Sequence, residues 1–382
     1  MVQCEPPPVD LLTSVDAPGA DKDPKPMGVT SAGPLGDDVF VGGNVGAAPK
    51  SLAAEASSTF RLADGKTVSC YNDSQFAEIR RRCGLSEDFL LDQFEFSPEF
   101  FKSQGGKGGE LMCWTRDRKF IVKQLSAGDH ATLLDIAGHY VVHVLSGKTF
   151  LTLIPLHFEY EGRQYMVMIS CLAKSVDGYD FGIGAEGFDA LYDLKGCADD
   201  KLMMQKGKKI VAVRKRIWHL WMWCGSCLWS QQRRLYYTEK RLARKWKMDG
   251  LPQATRDLIV ETIRRDCEDF LIPQGLMDYS LIVATKKLVP EAPSPALRQR
   301  IDAALPTEAE NWSSPLLVDR QEGSELLCVG IIDFLQRWTL IKKVAMYIKV
   351  LERDKASIPP QAYGRRFVER FAAKFVVGTS SS

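Results

Sequence analysis

Gly275-Leu276-Met277-Asp278-Tyr279-Ser280-Leu281-Ile282-Val283 sets one carboxylate between a glycine-bearing turn and a run of apolar, β-prone residues. An acid placed there stands at the mouth of a buried strand, where a rigid sheet can aim it at a substrate. Further along, Leu326-Leu327-Cys328-Val329-Gly330-Ile331-Ile332-Asp333-Phe334 repeats the arrangement, a buried-strand run that ends in Asp333. Two strand-end carboxylates suit phosphoryl transfer: one accepts the proton of an attacking hydroxyl, and the other holds Mg²⁺ on nucleotide phosphates. Either acid alone could equally cap a strand or a turn, so the rest of the chain must decide.

Just upstream of Asp278, residues 256–271 read as an amphipathic helix with Ile259, Ile263, Cys267, Phe270 and Leu271 inward and Thr255 as its cap. Before it, Tyr192-Asp193-Leu194-Lys195-Gly196-Cys197 places Asp193 and Lys195 on one face of a strand. That is either a surface ion pair or a lysine turned into a cleft beside a nucleotide. Earlier still, Ser103-Gln104-Gly105-Gly106-Lys107-Gly108-Gly109-Glu110 leads into strands over 111–115 and 119–125, the second carrying Lys123. Backbone amides of such a glycine hairpin can approach phosphates without Cβ clashes, and the lysine adds a point charge.

A helix over 131–144 follows, with Asp129 and Asp135 as candidate acids to pair with Lys123. Strands are expected at 150–156 and 164–169, a short helix at 74–83 capped by Asp73 or Ser74, and aromatic-rich packing against the first sheet at 87–101. After Val283, residues 288–324 read as a long surface excursion. Residues 335–351 have a helical period that includes Lys342 and Lys343, 357–362 read as a loop, and 365–375 as a last helix.

With 382 residues, 45% hydrophobic and 26% charged, the chain can build one large or two moderate domains. Residues 1–65 are set apart as a low-complexity leader. The first sixty or so hold eight of the nineteen prolines and seven glycines, too little apolar surface to offset ordering entropy. Ten scattered cysteines without a secretory apolar region point to a reduced, cytoplasmic protein. The single Cys224-Gly225-Ser226-Cys227 has no second pair or histidine partner at zinc spacing. No apolar stretch approaches the ~20 residues that cross a bilayer.

The net charge of +2 hides an asymmetry. Residues 201–247 carry fourteen Lys or Arg against one acid, Glu239, and five of the eight tryptophans: Trp218, Trp221, Trp223, Trp229 and Trp246. Tryptophan interleaved with basic residues suits the headgroup level of an anionic membrane, a core rimmed by solvated charge, or a nucleic-acid backbone.

Taken together and in order, these motifs resemble the phosphatidylinositol phosphate kinases. The resemblance rests on Tyr192-Asp193-Leu194-Lys195-Gly196, on Asp266-Cys267-Glu268-Asp269-Phe270-Leu271 followed by Met277-Asp278-Tyr279-Ser280-Leu281, and on Gly330-Ile331-Ile332-Asp333-Phe334 with Ile341-Lys342-Lys343. It implies an α+β, two-lobed lipid-kinase fold distantly related to protein kinases, with antiparallel sheets and packed helices over residues 66–376. The N-lobe would span about 66–170 and the C-lobe about 171–376. By position, Gly105, Gly106, Lys107, Gly108, Gly109 and Lys123 would hold ATP, Asp278 would be the catalytic acid and Asp333 the Mg²⁺ ligand. Lys195 would stabilise the transferring phosphate or the headgroup, and Lys342 and Lys343 would open an activation segment that recognises lipid phosphates. The chain departs from the family pattern at Cys197, where a serine is usual, in a phosphate loop with glycine where serines are common, and in the Trp-rich insert at 217–229.

The activity expected from the resemblance is phosphorylation of a phosphatidylinositol monophosphate. Phosphatidylinositol 4-phosphate, taken at the 5-position, stands first by its frequency in the family. Ala345 instead matches enzymes of the 5-phosphate lipid, and Gly330-Ile331-Ile332-Asp333-Phe334 with Lys123-Gln124 looks like enzymes of the 3-phosphate lipid. The expected partner is phosphoinositide in an anionic membrane, met peripherally from the cytoplasmic side. Nucleic acid is not expected, and homodimerisation is left open. The rival readings are an inactive kinase-fold scaffold on membranes and a soluble inositol polyphosphate kinase.

Overall fold

In the computed structural model, the runs ending at Asp333 and beginning after Asp278 fold as adjacent antiparallel strands, Ser280 opposite Ile332 and Lys287 opposite Glu325. The structure describes residues 58–61, 65–85, 111–114, 120–172, 175–176, 179–180, 188–197, 199–206, 208–209, 230–287, 316–320, 323–339, 343 and 358–378. All belong to the compact unit Ala53–Ser382.

Strands β1 (Ser58–Arg61), β2 (Thr67–Cys70), β3 (Met112–Trp114), β4 (Phe120–Gln124), β5 (Leu156–Tyr160) and β6 (Arg163–Ile169) form an antiparallel sheet in the order β1-β2-β5-β6-β4-β3. Its two faces follow the period of two. Val68, Val122, Phe158, Tyr165 and Val167 pack together on one side. Met166 and Met168 point to the other, into a core shared with α1 (Asp73–Arg82) and α2 (Ala127–Leu145). Helix α2 starts at Ser126, whose side chain accepts the Asp129 amide at 3.1 Å, and it buries Leu133, Ile136, Ala137, Tyr140 and Val144 at helical spacing.

A small hairpin, β7 (Ser175–Val176) and β8 (Tyr179–Asp180), precedes the second sheet. This sheet runs β11-β10-β9-β14-β16-β15, with β9 (Ala190–Leu194), β10 (Lys201–Gln205), β11 (Lys208–Lys209), β14 (Ser280–Lys287), β15 (Leu316–Arg320) and β16 (Gly323–Ile332). Leu194, Leu281, Val283, Leu327, Val329 and Ile331 join the main core. Ile282, Ala284, Leu191, Leu326 and Cys328 form a second cluster on the opposite face. A strand buried on both sides has no polar alternation, which is why 280–284 read as a continuous apolar run. Gly330 lies so close to Cys171 that a Cβ there would stand 2.7 Å from the Cys171 Cβ.

Helices α3 (Gln231–Lys245), α4 (Gln253–Arg265) and α5 (Pro360–Ala372) pack around this sheet. They are accompanied by a parallel pair of β12 (Met248–Leu251) with β18 (Phe375–Val377) and an antiparallel pair of β13 (Leu276–Met277) with β17 (Gln336–Arg337).

Several expectations are corrected. Residues 150–155 form no sheet strand, because their backbone groups are spent on a junction between the two sheets. The Phe150 amide donates to Asp266 (2.7 Å), the Thr152 amide donates to the Ile331 carbonyl (2.9 Å) while the Ile331 amide donates to the Phe150 carbonyl (2.5 Å), and the Tyr140 hydroxyl bridges Ile154 and Thr152. The helix read over 256–271 is α4 followed by a π-helical turn, Asp266–Leu271, with Pro252 rather than Thr255 at its N-cap. The added residue per turn lets Asp266, Cys267, Phe270 and Leu271 all face inward. Helix α1 begins at Asn72 in a left-handed conformation without a side-chain cap.

Strand β1 lies inside the stretch assigned to the leader, β15 and the start of β16 lie inside the expected excursion at 288–324, and Gln336–Arg337 is strand rather than helix. The last helix starts at Pro360, where a proline at the first turn costs nothing, and Phe375 already belongs to β18. The aromatic stretch 87–101, the loop Gly105, Gly106, Lys107, Gly108 and Gly109, Cys224 and Cys227, the Trp-rich insert 217–229, Lys342 and Ala345 lie outside the described residues.

Candidate active site

The antiparallel ladder of β14 and β16 breaks at one end and resumes as β13 with β17. At the break each chain carries one aspartate in the left-handed region, Asp278 with φ 65° and Asp333 with φ 58°. Asp tolerates this conformation at a modest cost, and non-glycine residues held there cluster at functional sites. The register thus brings two acids far apart in sequence to the same end of one strand pair. Tyr279, fully buried next to Asp278, is fixed from behind, its carbonyl accepting the Tyr363 hydroxyl at 2.5 Å.

The neighbouring strand β9 ends at Leu194 opposite Leu281, so Lys195 emerges beside Asp278. Its ammonium donates to Asp278 Oδ1 at 2.5 Å and to the Asp278 carbonyl at 2.6 Å. The turn after Lys195 is held by buried Asp200, whose Oδ1 accepts the amides of Lys195 (2.7 Å) and Cys197 (3.2 Å). Gly196, with φ 64°, packs on Arg370. Cys197 sulfur accepts the Asp199 amide at 3.4 Å, the contact a serine oxygen could make in its place.

From the first sheet, Lys123 reaches Asp333 Oδ1 at 2.7 Å. This corrects the expected pairing with Asp129 or Asp135. Asp135 instead bonds Arg337, and Asp129 accepts from Gln336 at 2.7 Å. Asp129 nevertheless faces the same cleft. Burial pushes its carboxyl up, while the nearby Lys123 charge, Ser126 and Gln336 pull it down. The alternatives left for Asp193 and Lys195 are also resolved, since Asp193 pairs with Lys201 at 2.8 Å and not with Lys195.

Lys123, Lys195, Asp278 and Asp333 therefore line one cleft of about 220 Å³, with Ser126, Asp129 and Gln336. Ile154, Met166, Met168 and Leu335 form its apolar wall. Lys123 stands across from Met166 and Ile121 from Met168 in the β4–β6 ladder, so the charged and apolar walls grow from the same strands. Among the described residues, no cluster of three or more His, Cys, Asp or Glu side chains makes a ready metal cage. Asp129, Asp200 and Gln336 belong to the site's surroundings. Asp200 and Gln336 carried no signal in the sequence beyond their nearness to Lys195 and Asp333. Lys343 is exposed, its amide bonded to the Thr339 carbonyl.

The profile of the phosphatidylinositol-4-phosphate 5-kinase family matches residues 100–374, well over half of the chain. The chain belongs to this family. It is accordingly a phosphoinositide kinase of α+β fold, and kinase chemistry in the family implies ATP. It is similar to phosphatidylinositol 5-phosphate 4-kinase type-2 gamma of Xenopus tropicalis, 21% identical over 348 residues, covering 78% of this chain and 73% of that protein. It is also similar to human 1-phosphatidylinositol 3-phosphate 5-kinase, 22% identical over 303 residues, covering 76% of this chain but 12% of that much longer protein. All five charged residues of the cleft, Lys123, Asp129, Lys195, Asp278 and Asp333, fall inside the family match.

Proposed function

We propose that this kinase transfers the γ-phosphoryl group of ATP to a ring hydroxyl of a phosphatidylinositol monophosphate, with phosphatidylinositol 4-phosphate as substrate and the 5-hydroxyl as acceptor. The observation that carries the reading is the convergence of two lysines and two strand-end aspartates on one cleft whose other wall is apolar. An apolar wall suits a nucleotide base, and paired cations suit its phosphates. Lys123 would hold the phosphates nearest the first sheet. Lys195 would meet the charge that builds on the transferring group. Asp278 would orient the attacking hydroxyl and take its proton as the new P–O bond forms and the bond to the departing ADP breaks.

Asp333, a hard oxygen donor exposed by 53%, fits Mg²⁺, and Asp129 lies close enough to shape the field around it. Mg²⁺ is usually held by one or two carboxylates, with water and phosphate oxygens completing its shell. Mg²⁺ bound there would neutralise developing phosphate charge.

Glycines 105, 106, 108 and 109 with Lys107 are proposed to cover the phosphates, and Lys342 and Lys343 to read the lipid headgroup. The two sheets would correspond to two lobes distantly akin to those of protein kinases. The family name favours the 4-phosphate lipid. The named activities of the two relatives, on the 5-phosphate and the 3-phosphate lipids, set the alternatives to be tested. Among the described residues no helix is long and apolar enough to cross a membrane. The encounter with lipid is therefore proposed to be peripheral.

The test is transfer from radiolabelled ATP to separate vesicles carrying each phosphatidylinositol monophosphate and to soluble inositol phosphates, with Asp333→Asn as control. Label on the 4-phosphate lipid alone, absent in the variant, is the expected result. Label on another isomer would move the substrate, and none on any lipid from folded protein would overturn the assignment.

A further inference from the structure

The Lys123–Asp333 pair crosses from one sheet to the other, but both of its members are proposed to serve ligand, so something else must keep them at a set distance. A second crossing lies beside it and uses neither residue. Strand β17 begins three residues after Asp333 and pairs with β13, Leu276 opposite Arg337 and Met277 opposite Gln336. It therefore travels with the strand ends that carry Asp278 and Asp333. Helix α2 travels with Lys123: its N-cap, Ser126, follows that lysine by three residues, and its buried face shares a core with Met166 and Met168 of β6, the strand paired with β4.

Three side chains join β17 and its approach to α2. Phe334 stacks on Tyr140 with ring centres 5.8 Å apart, Gln336 donates to Asp129 Oδ1 at 2.7 Å, and Arg337 bonds Asp135. Six residues of helix put Asp129 and Asp135 about 9 Å apart along its axis. Successive strand residues point to opposite sides, so Gln336 and Arg337 grip α2 from both flanks of β17 and leave it no single pivot. Folding alone does not call for the outer grip. The Arg337 and Asp135 side chains are 40% and 65% exposed, and such a pair adds little to stability. Among the described residues, Arg337 Nε is enclosed but makes no hydrogen bond, so the contact with Asp135 asks for a charge rather than for a guanidinium fork.

We infer that Arg337 is a positioning residue for the nucleotide: through Asp135 it holds β17 on α2, and so fixes the reach of Lys123 across the cleft from Asp333. Binding groups are sensitive to displacements of about 1 Å, which a loosened crossing would allow. This role rests on the reading of Lys123 as a phosphate ligand and Asp333 as a metal ligand.

The test is titration calorimetry of Mg-ATP into the full chain without lipid, followed by steady-state transfer to lipid vesicles. Arg337→Gln and Asp135→Asn should each weaken Mg-ATP about fivefold, the scale of a contact remote from the ligand. Arg337→Lys, which keeps the charge, should bind as the unaltered protein does. Arg337→Asp sets a like charge against Asp135 and should bind more weakly than Arg337→Gln, and adding Asp135→Arg to it should recover most of the loss. All variants should melt with the unaltered protein, and in turnover the KM for ATP should rise while kcat and the KM for lipid hold.

Unchanged affinity in Arg337→Gln would overturn the inference. So would an exchanged pair no better than Arg337→Asp alone, or a fall in kcat without a rise in the KM for ATP. Protein that binds Mg-ATP with this order of variants but labels no phosphatidylinositol monophosphate would uphold the role of Arg337 and strike the proposed substrate alone.

Discussion

The two ion pairs of the cleft are built differently. Lys195 and Asp278 come from adjacent strands of one sheet, and the lysine is held twice, by the carboxylate and by the carbonyl of the same residue. Lys123 and Asp333 come from different sheets, and the acid is half exposed. The first pair is a fixed fitting of one sheet. The second depends on how the two sheets meet, and that junction runs through residues 149–154 and Asp266. An exposed pair adds little to stability, about 0–1 kcal/mol, so the second pair is better suited to ligand than to structure.

The largest effect should come from the acids themselves. Asp278→Asn and Asp333→Asn are each expected to lower turnover by at least ~10²-fold, the scale of losing a charge-stabilising group. Differential scanning should separate them: Asp333→Asn melts with the unaltered protein, while Asp278→Asn, which loosens the Lys195 ammonium, melts lower. Equal melting would erase the distinction between the pairs.

The junction is tested next. Asp266 is fully buried and accepts from Thr149 and the Phe150 amide, with His143 Nε2 at 2.8 Å. Asp266→Asn should cost about 1–3 kcal/mol of stability in denaturant titration, because at least one buried partner loses its acceptor. It should raise the KM for ATP, on the Lys123 side, more than it lowers kcat. Asp200→Asn should do the reverse, lowering kcat roughly tenfold through a misplaced Lys195 and leaving the KM for ATP alone.

A pH profile addresses the first sheet alone. His157 of β5 lies 2.9 Å from His130 of α2, the residue after Asp129. Burial, and then His130, lowers His157 from 6.5 to about 3, and burial lowers His130 too. The unfolded chain therefore takes up these protons first. The stability the pair contributes is present above pH 6.5 and is lost as pH falls toward 3. Melting temperatures measured downward from pH 7 should slope less in His157→Asn than in the unaltered protein, and an equal slope would remove the pair from the account. The smallest effect should be that of Cys197→Ser. The hydroxyl can accept the Asp199 amide as the sulfur does, so stability should stay within about 0.5 kcal/mol and turnover unchanged.

Much of this was legible in the residues. The apolar runs at 280–284 and 326–332 name the central strands, because a strand buried on both faces cannot hide among polar neighbours. Lys123, Lys195, Asp278 and Asp333 stand out as charges at the ends of such runs. Other features left no local trace. Residues 150–155 look like a strand, yet their backbone bonds go to Asp266, Ile331 and Tyr140. The neighbouring helix α2 offers Lys123 two acids close in sequence, yet its partner is Asp333, just past the end of β16.

What the sequence alone determined was which side chains carry the chemistry and which segments must be buried, since hydrophobic period and turn residues are local properties. Only the tertiary structure decided which lysine meets which acid, that Asp278 and Asp333 share a left-handed break in one ladder, and that Asp200 anchors Lys195. Those facts depend on strand register and on how the sheets meet, and both are settled by packing between residues distant in the chain.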